Sequence, residues 1–584
     1  MIKHKLKEVV EQALKKAIEH GELGSLTSCP VPVIVEVPKL PEHGDLACGV
    51  ALKLAPVVKA SPLKIAEIIT KHIAVSEENV SHFQVAAPGF INFHLGTGWL
   101  SEALCDIHLA KDRYGSCDLG GGEKVLVEYV SANPTGELHI GHGRGAVYGS
   151  CLSNLLKFSG FNVEEEFYVN DTGEQIALLG NCAWALYRRK LGVDVEYPSG
   201  GYPEYTLDGF VDDIIKAHGD KLLAIDDAEG VKQLANLIME TILKIQKELL
   251  ERLRVRFDRW FSERTLHAED KVSATLAKFA ELGYSYESEG ALWLKAKELG
   301  DERDRVLKKS AGNTTYLAAD AAYHLDKYER GYQRLITIWG ADHHGQVPGL
   351  KAAVHALGQD PNKLEVILTQ IVNLSRDGRS VRMSKREGTV VMLQEVMDEV
   401  GVDAVRYYLA ESNPQNPINF DLDLAKKTSR ENPAFYIQYA HARCSAILRK
   451  ALEPSVNPDT GAAVPPLVGQ DQWREYLDAY RTSAHVFDAI FEKDLEIFSH
   501  QKALIMRLES FPAEVEEAAS TRTPGRLARY AYELANDLQK FYEVCRVITP
   551  ETEVAKARLG LIVATRQVLA NVLGIIGVTA PDRM

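Results

Sequence analysis

Hydrophobic and polar positions along this chain change period several times, and each change marks an element. Leu6, Val9, Val10, Ala13, Leu14, Ala17 and Ile18 fall on one face of a helix over residues 4–20, and Gly21 closes it. Val31 to Val37 reads as a strand that Pro38 and Pro41 interrupt. His43-Gly44-Asp45 then opens a helical pattern ending before Ser61-Pro62. Val80 to Leu95 alternates about Pro88-Gly89 and predicts a hairpin. Together these make a small α/β unit, residues 1–112. Gly115 to Gly122 comes next as a boundary. Its Gly120-Gly121-Gly122 run precedes a strand rather than a helix, so it reads as a linker and not a phosphate cradle.

Lys124 to Val130 is a β-branched, apolar run suited to a buried parallel strand, broken by Asn133-Pro134 and Gly136. The period then becomes helical through Val147, Cys151, Leu155 and Phe158, and stops at Ser159-Gly160. A second strand, Asn162 to Val169, turns at Asn170-Asp171-Thr172-Gly173 into another helix. This βαβ alternation predicts an α/β fold, a doubly wound parallel sheet of Rossmann type over residues 120–375. Residues 192–219 are rich in tyrosine, proline and glycine, and Val231 to Val255 is one long amphipathic helix. These predict an insertion at about 192–290, with Phe257 to Glu263 and Ala291 to Leu294 returning toward the sheet. Leu335 to Trp339 is another strand, ending in Gly340-Ala341-Asp342-His343-His344-Gly345. Residues 376–452 read as a connecting helical region. After a proline-rich loop at Pro454 to Pro466, residues 453–584 read as an all-α bundle.

Composition changes this picture little. Hydrophobic residues make up 46% and charged residues 25% of the 584 positions, ordinary for a globular protein, and no apolar run is read as approaching the ~20 residues of a membrane span. The basic start, Met1 to Lys7, passes into Glu8 and Glu11 rather than a signal core. Eight scattered cysteines without a Cys-x-x-Cys pair predict reduced thiols and a cytoplasmic protein. A net charge of −14 excludes a general nucleic-acid sponge but not a local basic groove.

Candidate chemistry concentrates where strands end. His139-Ile140-Gly141-His142 opens the first helix of the parallel-sheet region, where unpaired N–H groups favour anions and two imidazoles flank a residue without a side chain. Far downstream, Asp377-Gly378-Arg379-Ser380 is turn chemistry leading into Arg382-Met383-Ser384-Lys385-Arg386-Glu387-Gly388. This resembles the mobile lysine loop that class I aminoacyl-tRNA synthetases pair with their HIGH motif. The Asp342-His343-His344 cluster lacks a third ligand at convincing spacing, so no metal is expected there.

With these motifs, Tyr316-Leu317-Ala318-Ala319-Asp320, Asn432-Pro433-Ala434-Phe435-Tyr436, Tyr439 to Arg443 and the ending Ala580 to Met584, the chain resembles bacterial-type arginyl-tRNA synthetases over essentially its whole length. The resemblance implies ATP-dependent joining of L-arginine to its tRNA through an arginyl-adenylate, with Mg2+ on the triphosphate, no tightly bound metal, no membrane and a monomer. It implies an N-terminal unit that contacts the tRNA corner and a C-terminal bundle that binds the anticodon. A guanidinium is planar, permanently charged and rich in donors, so its pocket needs carboxylates and an in-plane acceptor. Glu263, Tyr316 and Asp320 match the side-chain positions. Glu128, Asn133 and Asp342 match those at the amino-acid end. His139, Gly141, His142, Gly340 and His343 would line the ATP site together with Met383, Ser384 and Lys385 of the loop, with His139, His142 and Lys385 as its catalytic groups. The loop departs from the usual form at Arg382 and Arg386. The rival classes are a class I ligase for another amino acid and a non-catalytic tRNA-binding protein of the same fold.

Overall fold

The computed structural model describes residues 2–381, 391–456, 463–491 and 495–584. The loop residues Arg382, Met383, Ser384, Lys385 and Arg386 lie outside the described residues.

Helix α1 (Ile2–Glu19) buries the apolar face read from the sequence. Strands β1 (Val35–Glu36) and β2 (Leu46–Cys48), helices α2 (Val50–Val58) and α3 (Pro62–Lys71), and the hairpin β3 (Val80–Ala86) and β4 (Phe90–Leu95) complete the N-terminal unit. Its antiparallel sheet runs β1-β2-β4-β3. The strand read at Val31 to Val37 shrinks to two residues, because the prolines on either side cannot donate to a ladder. Helix α4 (Gly98–Ala110) then leads out along the C-terminal bundle, where Ser101 Oγ donates to Asp488 and His108 Nε2 lies 2.9 Å from the Gly560 carbonyl. The glycine run 120–122 is a turn docked on Ser159-Gly160: the Gly120 and Gly122 N–H groups bond the carbonyls of Ser159 and Gly160, so they are committed to the chain rather than to a phosphate.

The catalytic-region core is β5 (Lys124–Glu128), α5 (Ile140–Phe158), β6 (Asn162–Val169), an inserted helical layer α6 (Gly173–Lys190), α7 (Glu204–His218) and α8 (Asp227–Arg252), and β7 (Arg259–Ser262). After α9 (Glu263–Ala268) and α10 (Lys271–Glu281) comes a small antiparallel sheet, β8 (Ser285–Ser288), β9 (Ala291–Leu294) and β10 (Arg305–Lys308). Next come α11 (Tyr316–Glu329), β11 (Arg334–Gly340), α12 (Val347–Ala356) and β12 (Leu364–Thr369). The main sheet is all parallel, in the order β12-β11-β5-β6-β7. Chain order therefore reverses between β5 and β11, which is the crevice where an open α/β sheet takes its ligands. Of the two segments read as returning toward the sheet, Arg259–Ser262 does so as its edge strand, within the bounds of about 192–290 read for the insertion, whereas Ala291–Leu294 does not and sits in the small sheet. The inserted helices α6 to α8 enclose their own core, so they did not need the sheet to bury their apolar faces.

Strands β13 (Val372–Arg376), β14 (Arg379–Val381) and β15 (Ile418–Asp421) form a mixed sheet around α13 (Leu393–Val400) and α14 (Val402–Ala410). The remaining helices are α15 (Leu422–Lys426), α16 (Pro433–Leu452), α17 (Gln470–Thr482), α18 (Leu495–Ser520), α19 (Gly525–Val544) and α20 (Thr552–Ile576). Helix α16 packs on α19 and α20, so the bundle begins ahead of residue 453. Helix α20 corrects the membrane reading: by length and apolarity it could cross a bilayer, but 67% of its most apolar window is buried inside the chain. It is the core helix of the bundle.

Buried arginines tie these parts together. Arg406 is fully buried on α14; its guanidinium donates to the carbonyls of Ile576 (3.0 Å) and Leu253 (2.9 Å) and to Ser150 Oγ (3.2 Å), joining bundle, insertion and α5. We expect Arg406→Met to leave the Leu253 carbonyl without this donor and the Ile576 carbonyl with the Cys151 thiol alone, and to lower stability by about 2 kcal/mol or more, since each buried unpaired group costs about 1–3 kcal/mol. Urea unfolding monitored by tryptophan fluorescence checks this, and a change within about 0.5 kcal/mol, the size of a neutral surface substitution, would refute it.

Candidate active site

The site begins at a strained turn. Past the end of β5, Val130 and Ser131 have φ of 67° and 40°, and the Ser131 N–H bonds the Tyr129 carbonyl at 2.9 Å. This is the rare positive-φ three-residue turn, and a β-branched residue at its centre carries strain of order 1–3 kcal/mol. Its effect is to bring the Ser131 hydroxyl between Glu128 Oε1 (2.9 Å) and the Tyr168 N–H (3.2 Å) of β6. Buried Tyr129 anchors the turn from below, its hydroxyl donating to Glu165 at 2.5 Å. Its ring occupies the space where a Cβ on Gly149 of α5 would come within 2.3 Å.

Beyond the turn, the two histidines cap α5 reciprocally. His139 Nδ1 accepts from the N–H groups of Gly141 (3.1 Å) and His142 (3.4 Å), while His142 Nδ1 accepts from the His139 N–H (3.2 Å). The rings stack at 3.7 Å. With Nδ1 accepting in both rings, the neutral proton belongs on Nε2, so each imidazole is set as a donor at the positive end of a helix. Gly141 serves this cap directly: a Cβ there would stand 3.0 Å from the His139 ring. The lysine-loop segment rejoins the described chain at the same place, because the Ile140 N–H bonds Val391 and the Leu393 N–H bonds Leu138.

A cavity of about 370 Å3 opens across the reversal between β5 and β11; His139, Gly141 and His142 of the cap are not among its lining residues. Glu128, Asn133, Glu263, Tyr316, Asp320, Gly340 and His343 all line it, so residues separated by more than 200 positions meet there. Tyr316 is exposed at the mouth. Asn133 holds Gln175, also in the wall, at 2.8 Å. Asp342 is not in the wall. Its side chain is 83% exposed on the rim and faces His343 at 3.7 Å, since the turn after β11 sends it outward.

The electrostatics are those of a cation pocket. Glu128 and Glu263 are buried, and Asp320 is half-buried in the cavity wall. Burial, then the charges of Glu128 and Glu263, push the Asp320 carboxyl up to about 7, with Lys327 working against them. The Tyr168 hydroxyl is held protonated by burial and by the same carboxylates. His324, one turn along α11 from Asp320, is buried; its Nδ1–H donates to the Asp320 carbonyl at 2.8 Å. Burial, then Lys327, drive its pKa far below the ordinary imidazole range, so it is neutral. Its Nε2 is then a lone-pair acceptor with no hydrogen-bond partner among the described residues.

Sequence reasoning missed His324, Ser131, Tyr168 and Lys327. Lys327 is fully buried, donates to Glu128 Oε2 at 2.6 Å and lies over the Tyr323 ring at 4.1 Å. The one available signal was spacing: Tyr316, Asp320, Tyr323 and Lys327 repeat on a single face of α11.

Three family models match consecutive parts of the chain: the arginyl tRNA synthetase N terminal domain at residues 4–95, the tRNA synthetases class I (R) catalytic domain at 104–425, and the DALR anticodon binding domain at 437–584. An arginine–tRNA ligase from Desulfitobacterium hafniense is 42% identical over 571 residues, 98% of this chain and 97% of that one. One from Heliobacterium modesticaldum is 43% identical over 585 residues, 100% and 99% of the two chains. The chain belongs to the arginine–tRNA ligases. The Thermus thermophilus arginyl-tRNA synthetase structure shares its fold at a TM-score of 0.70, with 23% identity and both chains fully covered. The mixed α/β architecture and the helical C-terminal part expected from the sequence are those of this family.

In this ligase the buried pair beneath the cavity is testable apart from catalysis. Lys327→Met leaves Glu128 as an uncompensated buried charge and should destabilise the chain by about 3–5 kcal/mol. Lys327→Met with Glu128→Gln should recover most of that loss. Thermal and urea midpoints for the single and double variants decide it: equal destabilisation in both would show that the pair is not coupled.

Proposed function

We propose that the cavity holds L-arginine, with its guanidinium against Asp320, Glu263 and the Tyr316 hydroxyl and its amino end at Glu128 and Asn133; Asp342, turned outward, takes no part in this arrangement. The chain catalyses ATP-dependent ligation of arginine to tRNA. The observation that carries the pocket assignment is the surplus of negative charge: three carboxylates face one cavity, one lysine offsets them, and Asp320 is held half-protonated near neutral pH. A permanently charged, donor-only guanidinium resolves that surplus, and the lone pair of His324 Nε2 supplies an acceptor that a protonated ring would lack.

ATP then lies over the α5 cap, with His139 and His142 donating to its phosphates, Gly141 giving close approach, and Gly340 and His343 at the nucleoside end. The arginine carboxylate oxygen attacks the α-phosphorus. The bond from that phosphorus to the bridging oxygen breaks, and its electrons leave with pyrophosphate. The terminal ribose hydroxyl of the tRNA next attacks the adenylate carbonyl and expels AMP. No side chain becomes covalently bonded, so rate enhancement comes from placing donors where charge develops. Met383, Ser384 and Lys385 are assigned from the sequence to the triphosphate, and the chain rejoining at Val391 beside Ile140 supports that placement. Mg2+ brought in with the triphosphate would offset leaving-group charge. The N-terminal unit and the bundle flank the catalytic sheet as tRNA-contacting surfaces, and we take the enzyme to be a cytoplasmic monomer.

Asp320→Asn separates the substrates. It removes the charge and turns an amide N–H2 toward a donor-only group, so kcat/KM for arginine should fall roughly 100-fold or more, while KM for ATP barely moves. Steady-state charging with arginine and ATP varied separately is the measurement, and an arginine kcat/KM within about fivefold of wild type would remove Asp320 from the pocket.

The pH dependence has a definite sign. Because the Asp320 carboxyl is pushed up to about 7 in the empty pocket, its charged form grows as pH rises through that value. KM for arginine should therefore fall as pH rises from about 6 to about 8, and the trend should vanish in Asp320→Asn. A flat wild-type profile over that window would contradict the assignment.

A further inference from the structure

A second convergence of ligating groups lies in the N-terminal unit, outside the catalytic cavity. Helix α1 ends in a Schellman turn: the Gly21 N–H bonds the Ile18 carbonyl at 2.9 Å and the Glu22 N–H bonds the Ala17 carbonyl at 3.0 Å, with Gly21 at φ 72°. This turn places His20 and Glu22 on either side of the glycine. Helix α3 ends at His72, whose backbone N–H bonds the last carbonyls of its own helix. Glu22 Oε1 lies 3.3 Å from His72 Nε2 and 3.9 Å from His20 Nδ1, and the two imidazoles meet edge-on with centroids 5.0 Å apart. The three ligand atoms lie within 4.8 Å of one another, the single such group of histidine, cysteine and acidic side chains among the described residues.

We propose that His20, Glu22 and His72 bind a divalent ion of the Zn2+ class. Three observations converge on it. Ligands held about 2.1 Å from a tetrahedral ion stand about 3.4 Å apart, and the Glu22–His72 and Glu22–His20 separations sit close to that edge. His72 Nε2 is buried and near the carboxylate, yet it is off the line a hydrogen bond requires and has no such partner among the described residues. An ion shared by both atoms satisfies it. Both histidines also terminate helices, at the negative ends of the α1 and α3 dipoles, which favours a cation. Two imidazoles with one carboxylate select a borderline transition ion over Mg2+ or Ca2+ and leave the fourth position to water. The bound ion staples the end of α1 to the end of α3. The sequence reading expected no tightly bound metal, on the scattered cysteines and the Asp342-His343-His344 cluster; His20, Glu22 and His72 were not singled out.

Isothermal titration of Zn2+ into the chelator-treated full-length chain tests this, with Co2+ absorbance reporting the coordination geometry. One ion per chain is expected, with a tetrahedral Co2+ spectrum and a higher unfolding temperature in Zn2+. His20→Ala, Glu22→Gln and His72→Ala should each weaken binding at least about 10-fold, since even outer-shell partners of metal ligands contribute that much. His4→Ala, on an exposed pair elsewhere on α1, should leave it unchanged. If His72→Ala proves unstable, the exposed His20 and Glu22 variants decide. No Zn2+ binding by the wild-type chain, or equal affinity and stoichiometry in His20→Ala and Glu22→Gln, overturns the proposal.

Discussion

The register of the parallel sheet sets Glu128 of β5 directly beside Glu166 of β6, two buried carboxylates in neighbouring strands. Like charges so placed repel, and burial leaves little water to screen them. Helix α11 resolves the conflict. Lys327 bonds Glu128, and Arg330 takes Glu166 through both terminal nitrogens at 2.6 and 2.9 Å, with the Tyr323 hydroxyl adding a third donor at 2.6 Å. These contacts fix how α11 lies on the sheet, and His324, Asp320 and Tyr316, about one, two and three turns before Lys327, are thereby aimed at the cavity. A charge problem inside the fold thus becomes the positioning device for the pocket.

Neutralisation is also incomplete in a useful way. Lys327 offsets one carboxylate of three, so the cavity keeps a negative surplus that adds to burial in raising the Asp320 carboxyl, while Lys327 adds to burial in keeping the neighbouring His324 neutral. The pocket is prepared for a cation without being filled by one of its own. A second lysine in place of His324 would relieve the strain and abolish the reason for arginine to bind.

Helix α5 transmits this site to the rest of the molecule. It is buried on nearly every side, with the histidine cap at its start. Along its length Tyr148 bonds the Arg522 carbonyl, Asn154 bonds Ile575 and Cys151 bonds Ile576 of the bundle. Arg144 on the same helix donates to five carbonyls in two segments, 370–371 and 413–416, and burial lowers its pKa to about 10. A displacement of the bundle would therefore act on the helix whose first turn is the histidine cap, through contacts already made.

How much of this was legible in the residues depends on range. Local chemistry is written in short stretches: the α1 face, the hairpin about Pro88-Gly89, the strand-turn-helix around His139 and the helical tail each declare themselves by period and punctuation. The parallel sheet is implied by their alternation. Contacts that depend on register were hidden. Nothing in the sequence sets the register that puts Glu128 beside Glu166, or pairs them with Tyr323, Arg330 and Lys327, which lie 157 to 199 residues from them. The apolar α20 could be told from a membrane span only by what covers it, and Asp342, a matched position, was turned to the rim by the direction of a single turn. The chain's own periodicity determined which elements form and which motifs they carry. Tertiary structure decided which charges meet, and so which are neutralised and which remain for a ligand, since burial and distance are properties of the folded arrangement alone.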